Sequence, residues 1–255
     1  MSNRLSKIID FFDTLGVRRD IEEDPILNYE QKVRRHQIAD LLEAEEGGLV
    51  LDAGCGSGRD THAILAASRG EYVGVDISAQ SLHEALRKHP QVHLIRADLR
   101  YLPFKNESFN QIVCSEVLEH IPSWKKAVKE LYRILKPNKT LIISTPNTLS
   151  MYYPQRLYLE KKYGAKHPYD KWKNPWMMKK ELEKLSLKVI DVRGACILPG
   201  YICYTTTGKK VIKLLLPFFE RVEKVFCSRT PIRYFSYIHI VKARKHHLNK
   251  HFQQP

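Results

Sequence analysis

The sequence predicts an α/β fold, a mostly parallel sheet covered by helices on both faces, on three observations. Apolar runs of strand length alternate with stretches of helical periodicity between residues 49 and 195, the order in which parallel strands and their crossover helices are strung together. The first run, Leu49 to Ala53, leads into three closely spaced glycines, Gly54, Gly56 and Gly58. The second, Glu71 to Ser78, places a carboxylate, Asp76, 18 positions after Gly58.

Taken in order, Tyr29 to Glu45 sets Val33, Ile38, Leu41 and Leu42 among charges and predicts an amphipathic helix entering the first strand. Helices follow over Arg59 to Ser68, Ala79 to Lys88 and Ser123 to Leu135. Between them lie strands at Glu71 to Ser78, at Val92 to Ile95 and within Phe104 to Ile121, and a fifth that ends at Thr145-Pro146-Asn147. The pattern then becomes irregular, rich in Tyr, Lys and Pro, as far as Trp176. A helix over Met177 to Leu185, a sixth strand over Leu187 to Val192 and a seventh over Tyr234 to Val241 complete the reading. Cys196 to Ile232 is a long insertion holding the apolar and basic run Lys209 to Phe219.

The glycine turn carries the chemistry. Glycine tolerates positive φ and has no side chain to hold a ligand off the backbone, so amide groups there can approach something small and polar. In a βαβ unit the acid ending the second strand lands beside that turn, where it can accept from two ribose hydroxyls. Any adenosine cofactor fits so far. Dinucleotide sites read G-x-G-x-x-G/A, but Arg59 stands at the third-glycine position, and the Gly-Lys-Ser/Thr of a phosphate loop is missing.

Gly-x-Gly-x-Gly preceded by Asp52 resembles motif I of class I S-adenosylmethionine-dependent methyltransferases, and the resemblance covers about residues 29 to 195 in order. Arg96-Ala97-Asp98-Leu99 resembles the end of the family's third strand. Phe104 to Ile121 resembles the loop and fourth strand of its small-molecule branch, and Leu131 to Ser144 its next helix, turn and strand, with Asn138 where the family usually has Gly. The resemblance implies a Rossmann-like seven-stranded sheet, last strand antiparallel, with substrate-cover insertions, and S-adenosylmethionine as cofactor. It implies that Asp76 holds the ribose diol with Ile77 against the adenine, that Asp98 and Leu99 meet the adenine, and that the turn of Asp52, Gly54, Cys55, Gly56 and Gly58 faces the methionine part and the sugar. Ser115 would line the methionine end. Arg34 is placed near the cofactor carboxylate, and Arg35 is an equally close candidate.

Methyl transfer from a sulfonium is an in-line displacement, so the protein must align the acceptor and, for a hydroxyl or amine, help remove its proton. His120 and His167 are the candidate bases, with Glu116, Tyr169 and Asp170 as helpers. Glu116-Val117-Leu118-Glu119-His120 is similar to a Glu-x-x-Glu-His stretch of the ubiquinone-pathway O-methyltransferases that is associated with a divalent metal. The expectation is no metal, with Glu116, Glu119 and His120 as the alternative ligand set.

With 255 residues and 43% hydrophobic content the chain can build one sizeable core. It has no apolar run of membrane-spanning length, and its start lacks the pattern of a signal peptide. Cys55, Cys114, Cys196, Cys203 and Cys227 form no Cys-x-x-Cys pair, so reduced thiols in a cytoplasmic protein are expected. Residues 161 to 255 carry 21 Lys+Arg against 6 Asp+Glu, which accounts for essentially all of the net charge of +14. An acidic partner or a solvated surface are the two readings of that imbalance.

The expected organisation is an N-terminal helical cap over residues 1–48, a cofactor-binding core over 49–195, a lid or membrane-facing insertion over 196–233, and a last strand with a basic tail over 234–255. The expected function is methyl transfer to a small-molecule or lipid-linked acceptor at oxygen, with peripheral membrane contact for a lipid-linked one. Nucleic-acid methylation through the basic last third, and a non-catalytic scaffold, stand as alternatives.

Overall fold

The computed structural model describes residues 3–15, 25–165, 167–197, 214–219, 221–223, 226 and 230–246. The chain runs α1 (Asn3–Leu15), α2 (Pro25–Ala39), β1 (Leu49–Ala53), α3 (Thr61–Ser68), β2 (Glu71–Asp76), α4 (Ala79–Lys88) and β3 (His93–Arg96). It continues through β4 (Phe109–Ser115), α5 (Trp124–Ile134), β5 (Leu135–Pro146), α6 (Tyr152–Tyr163), α7 (Pro175–Glu183), β6 (Leu187–Ala195) and β7 (Ile238–Lys245). The seven strands form one sheet in the order β3-β2-β1-β4-β5-β7-β6. β7 is antiparallel to both of its neighbours, and every other pair is parallel. Strand order reverses between β1 and β4, so the loops leaving their carboxyl ends part and open a crevice there.

Both faces of the sheet are covered, which is why its central strands read as apolar runs and not as alternating ones. On one face Ala127, Val128, Leu131 and Ile134 of α5 pack with Ile112, Cys114, Leu141 and Ile143. On the other, Tyr29, Val33 and Ile38 of α2 and Ile64 of α3 pack with Val50, Val113 and Ile142. Ser78 caps α4 by accepting from the Ser81 amide at 3.0 Å, and Asn174 caps α7 from Met177 at 2.7 Å, with Pro175 in the first turn. Asn138 sits at φ 62°, a left-handed position that asparagine tolerates best after glycine.

The structure departs from the sequence reading in five places. The helix expected over Tyr29 to Glu45 ends at Ala39 and gives way to a turn. The last strand begins at Ile238, four residues after Tyr234, because Pro231–Tyr234 forms a 3-10 turn. β6 extends three residues beyond Val192. Helices α1 and α6 are additions. α1 sets Ile8, Phe11, Phe12 and Leu15 at helical spacing, whereas α6 buries only Tyr152 and Arg156 and so has almost no periodic stripe to read.

Of the insertion, residues 198–213 lie outside the described residues, as do Cys203, Cys227 and the lysines of the run Lys209 to Lys213. Residues 214–219 are helical, and no described helix is long and apolar enough to cross a membrane. Cys55, Cys114 and Cys196 are buried, and Cys196 Sγ donates to the Glu30 carbonyl at 3.6 Å.

Several cations of the basic last third point inward. Lys245 donates to the Leu135 and Tyr132 carbonyls, Lys242 to Leu41 O and Glu43, and Lys173 to the carbonyls of Leu118 and Lys171. These three side chains close the sheet edges and the site floor and are not available to an external phosphate.

Candidate active site

The crevice at the β1/β4 switch point holds a cavity of about 240 Å³ walled by the glycine turn, the ends of β2 and β3, the loop after β4 and one face of α1. Asp76 organises it. Its Oδ2 accepts from the Gly56 amide at 2.9 Å and its Oδ1 from the Ser78 amide at 2.8 Å, and each oxygen keeps a lone pair for a further donor. Burial raises the Asp76 pKa despite those amides. A Cβ at Gly56 would meet nothing within 4 Å, so the turn leaves open space above its backbone. A Cβ at Gly54, where φ is +88°, would stand 2.3 Å from Val117 Cγ2, so that position has room for no side chain. Ile77, Ala97 and Leu99 add apolar walls suited to a flat base, and Asp98 lies at their edge.

Beside it lies a larger cavity of about 700 Å³, lined from α2, the loop after β4, α6 and the segment preceding α7. Glu116 and His120 line both cavities. Glu116 follows β4 with φ at 58°, a conformation costly for a residue with a side chain and found where surrounding structure imposes it. Its amide donates to the Ser144 carbonyl at 3.0 Å, and its Oε1 accepts from Ser144 Oγ at 2.9 Å. Burial, and then the nearby Glu119 carboxylate, push its pKa up to about 8. The His120 Nδ1 lies 3.1 Å from the Tyr169 carbonyl. A carbonyl only accepts, so Nδ1 carries the proton and Nε2 keeps its lone pair. Burial lowers the imidazole pKa, which keeps the ring neutral.

Helix α1 closes this junction. Phe12 meets His120 edge to face with centroids 5.2 Å apart, Phe11 meets His167 at 4.7 Å, and the two histidines lie 5.1 Å from one another. Asp13 fixes the helix by accepting from Ser78 Oγ at 2.5 Å and from the Gln80 amide at 3.3 Å, placing its charge at the positive end of α4.

The expected residues thus fall into groups. Gly54, Gly56, Asp76, Ile77, Asp98, Leu99 and His120 line the smaller cavity. Asp52 and Cys55 are buried below the turn, where Asp52 accepts from Tyr72 Oη at 2.8 Å and Tyr72 Oη lies 2.9 Å from Thr61 Oγ1. Gly58 is covered by His89 and Ala85. Ser115 pairs with Ser144 Oγ at 3.0 Å and lines neither cavity. Arg34 lines the larger cavity, and both it and Arg35 bind Asp60. His167 and Asp170 line the larger cavity, and Tyr169 contributes its carbonyl. Glu116, Glu119 and His120 do not converge as a ligand set: among the described residues no three His, Cys, Asp or Glu side chains gather at metal-holding distance. Sequence reasoning missed Ile8, Phe12, Arg156 and Trp172, whose signal was the helical spacing of α1 and nothing comparable in α6.

Residues 51–143, the stretch that supplies the turn, Asp76, Asp98 and Glu116, match the family described as a methyltransferase domain. Relatives similar to the chain include proteins named S-adenosylmethionine-dependent methyltransferase. Among curated proteins, this domain is similar to a demethylmenaquinone methyltransferase of Streptomyces avermitilis, 28% identical over 54% of this chain and 59% of that one. A probable S-adenosylmethionine-dependent methyltransferase of Mycobacterium tuberculosis is 31% identical over 54% of this chain and 50% of its own. The chain therefore spans between half and three-fifths of the length of these relatives. Among solved structures, a Thermotoga maritima S-adenosylmethionine-dependent methyltransferase, described as a possible histamine N-methyltransferase, superposes with TM-score 0.67 at 16% identity over 93% of this chain and 99% of that one. A Haloferax volcanii putative methyltransferase complexed with the Trm112 activator gives 0.68 at 17% identity over 94% and 98%. At those identities the likeness is one of fold.

The smaller cavity fits the cofactor of this methyltransferase class: a carboxylate with free lone pairs for a diol, open space over a glycine, and apolar walls for a base.

Proposed function

We propose that this chain transfers the methyl group of S-adenosylmethionine to a small-molecule or lipid-linked acceptor, at oxygen, with the acceptor in the larger cavity. The observation that carries the reading is the sharing of Glu116 and His120 by both cavities, which brings donor and acceptor volumes together at two titratable side chains. The bound cofactor supplies a methyl group activated by its sulfonium, and the departing thioether needs no acid.

In this reading residues 49–195 are the cofactor-binding core and α1 its cap. Asp76 holds the ribose diol, Ile77 and Leu99 flank the adenine, Asp98 meets its edge, and the backbone around Gly54 and Gly56 receives the remainder. Asp52 and Gly58 act beneath the turn, fixing its shape. His120, neutral and with its Nε2 lone pair free, accepts the hydroxyl proton. Phe12 and Ile8 keep water from the junction. The relatives named demethylmenaquinone methyltransferase favour a lipid-linked acceptor over a freely soluble one.

Calorimetry of S-adenosylmethionine with the wild type and Asp76→Ala tests the donor half: binding by the wild type and at least about a hundred-fold loss in the variant are expected, since two hydrogen bonds to a charged group disappear. Absence of binding by the wild type removes the reading. Labelled methyl donor in a metabolite extract then identifies the acceptor.

A further inference from the structure

The larger cavity is lined by a group of buried acids, two of which, Glu116 and Glu119, burial pushes up to about 8. Glu116, Glu119 and Asp170 line it close together, near enough that Glu119 and Asp170 each act on Glu116 and Asp170 acts on Glu119. Glu119 is only 2% exposed, and its Oε2 is buried with no hydrogen-bond partner. The Oδ1 of Asp170 is likewise buried and unpartnered, while Oδ2 faces Arg156 at 3.2 Å.

The surrounding cations make their hydrogen bonds elsewhere, although Arg34 and Lys173 still act on Glu119 through space. Arg34 binds Asp60, and Arg156 divides itself between Glu160, Asp170 Oδ2 and the Asp170 carbonyl. Lys173 spends hydrogen bonds on the carbonyls of Leu118 and Lys171 and makes no ion pair within 4.0 Å with any carboxylate among the described residues. His120 turns Nδ1 to Tyr169, so Nε2, 3.8 Å from Glu119 Oε1, has no proton to give. Two buried oxygens of the cavity's lining residues thus have no hydrogen-bond partner, Arg34 Nε being the unpartnered donor on the α2 side, and a buried unpaired acceptor carries a free-energy cost that a ligand's donor removes. A ligand with several N–H groups and a positive charge satisfies both oxygens at once.

We infer that the acceptor carries a basic nitrogen, a protonated amine seated between Glu119 Oε2 and Asp170 Oδ1, as its recognition handle. This rests on the reading of the larger cavity as the acceptor site and adds to it the acceptor's chemical class. The amine is a handle distinct from the methylated atom: Glu119 and Asp170 line only the larger cavity, whereas the reacting atom lies where Glu116 and His120 border both. An acceptor with its handle at one end and its hydroxyl at the other spans that distance.

Three probes matched in size test it: tyramine, neutral 4-ethylphenol and anionic 4-hydroxyphenylacetate, titrated calorimetrically into the protein with and without S-adenosylhomocysteine. Tyramine is expected to bind about ten-fold tighter than 4-ethylphenol, with the acid weaker still, and the preference should shrink to about two-fold in Glu119→Gln and in Asp170→Asn. Equal or tighter binding of 4-ethylphenol, no saturable binding of tyramine, or an undiminished preference in both variants overturns the inference. Should one variant fail to fold, the other variant and the wild-type ranking still decide. A wild type that prefers tyramine but binds no S-adenosylhomocysteine removes the methyl-transfer reading alone, and one that binds it without an amine preference removes the amine handle alone.

Discussion

Phe12 of α1 and His120 behind β4 meet edge to face, with centroids 5.2 Å apart and planes at 71°. The pair ties helix α1, which walls the smaller cavity, to one of the two residues that border both cavities. Replacing Phe12 by Ala removes both the ring pair, worth about 0.5–1.5 kcal/mol, and a wall of the cavity. Affinity for S-adenosylhomocysteine is expected to fall about ten-fold, by calorimetry, with the melting temperature of the unliganded protein lowered by only a few degrees. An affinity equal to wild type separates α1 from the cofactor.

The contrast between that helix and the glycine turn shows what the residues could announce. A turn at positive φ and an acid at the end of β2 are local requirements, so Gly54, Gly56 and Asp76 were legible from their letters and spacing, and the alternation of runs gave the sheet. Glu116 was visible only as one of several acids. Its place at the junction depends on a left-handed backbone forced by β4 and β5 pairing through Ser144, which no local pattern encodes. α6 escaped notice because it buries two residues on a helix of 12. The letters of the basic last third did not announce which cations turn inward, as Lys173, Lys242 and Lys245 do.

Gly54→Ala and Gly56→Ala should part company. At Gly54 the new methyl meets Val117 Cγ2 and the backbone sits at φ +88°; overpacking and positive φ together cost about 2–4 kcal/mol. At Gly56 the space is open, so only the backbone term of about 1 kcal/mol applies, while the methyl intrudes on the cofactor and weakens its binding. Thermal melts and calorimetry read the two effects. Adding Val117→Ala should restore part of the stability of Gly54→Ala and none of the affinity lost in Gly56→Ala.

The buried acids make the unliganded protein less stable as pH rises through neutrality. Burial and the Asp60 carboxylate push Asp52 up to about 7, and burial with Glu119 pushes Glu116 up to about 8. The folded state keeps these protons where an unfolded chain, with carboxylates near 4, has released them, so unfolding releases protons and stability falls with pH. Glu119, likewise raised to about 8, adds to the effect, and between about pH 7 and 8, where the opposing gain from the buried neutral histidines is nearly complete, the loss should amount to about 2 kcal/mol. Denaturant melts across that window measure it, and Glu116→Gln should flatten the slope between about pH 7 and 8. A rise in stability over the window contradicts the burial of these acids.

His120 and His167 stand 5.1 Å apart in one ring stack, yet their positions assign them different work. His120 borders both cavities and has its tautomer fixed by the Tyr169 carbonyl, whereas His167 lines only the larger one. For a hydroxyl acceptor, His120→Gln removes the lone pair that takes the proton, and kcat is expected to fall about 10²–10⁴-fold. His167→Gln should instead raise KM for the acceptor with kcat within a few-fold of wild type. Initial rates with labelled methyl donor, once the acceptor fraction is isolated, distinguish the two. Because burial holds the His120 pKa below its ordinary value, the wild-type rate should stay level as pH falls to 6.5 and decline only below it. The same kcat in wild type and His120→Gln would leave proton removal to Glu116, the other group at the junction, and the rate would then rise with pH toward 8 as that carboxyl ionises.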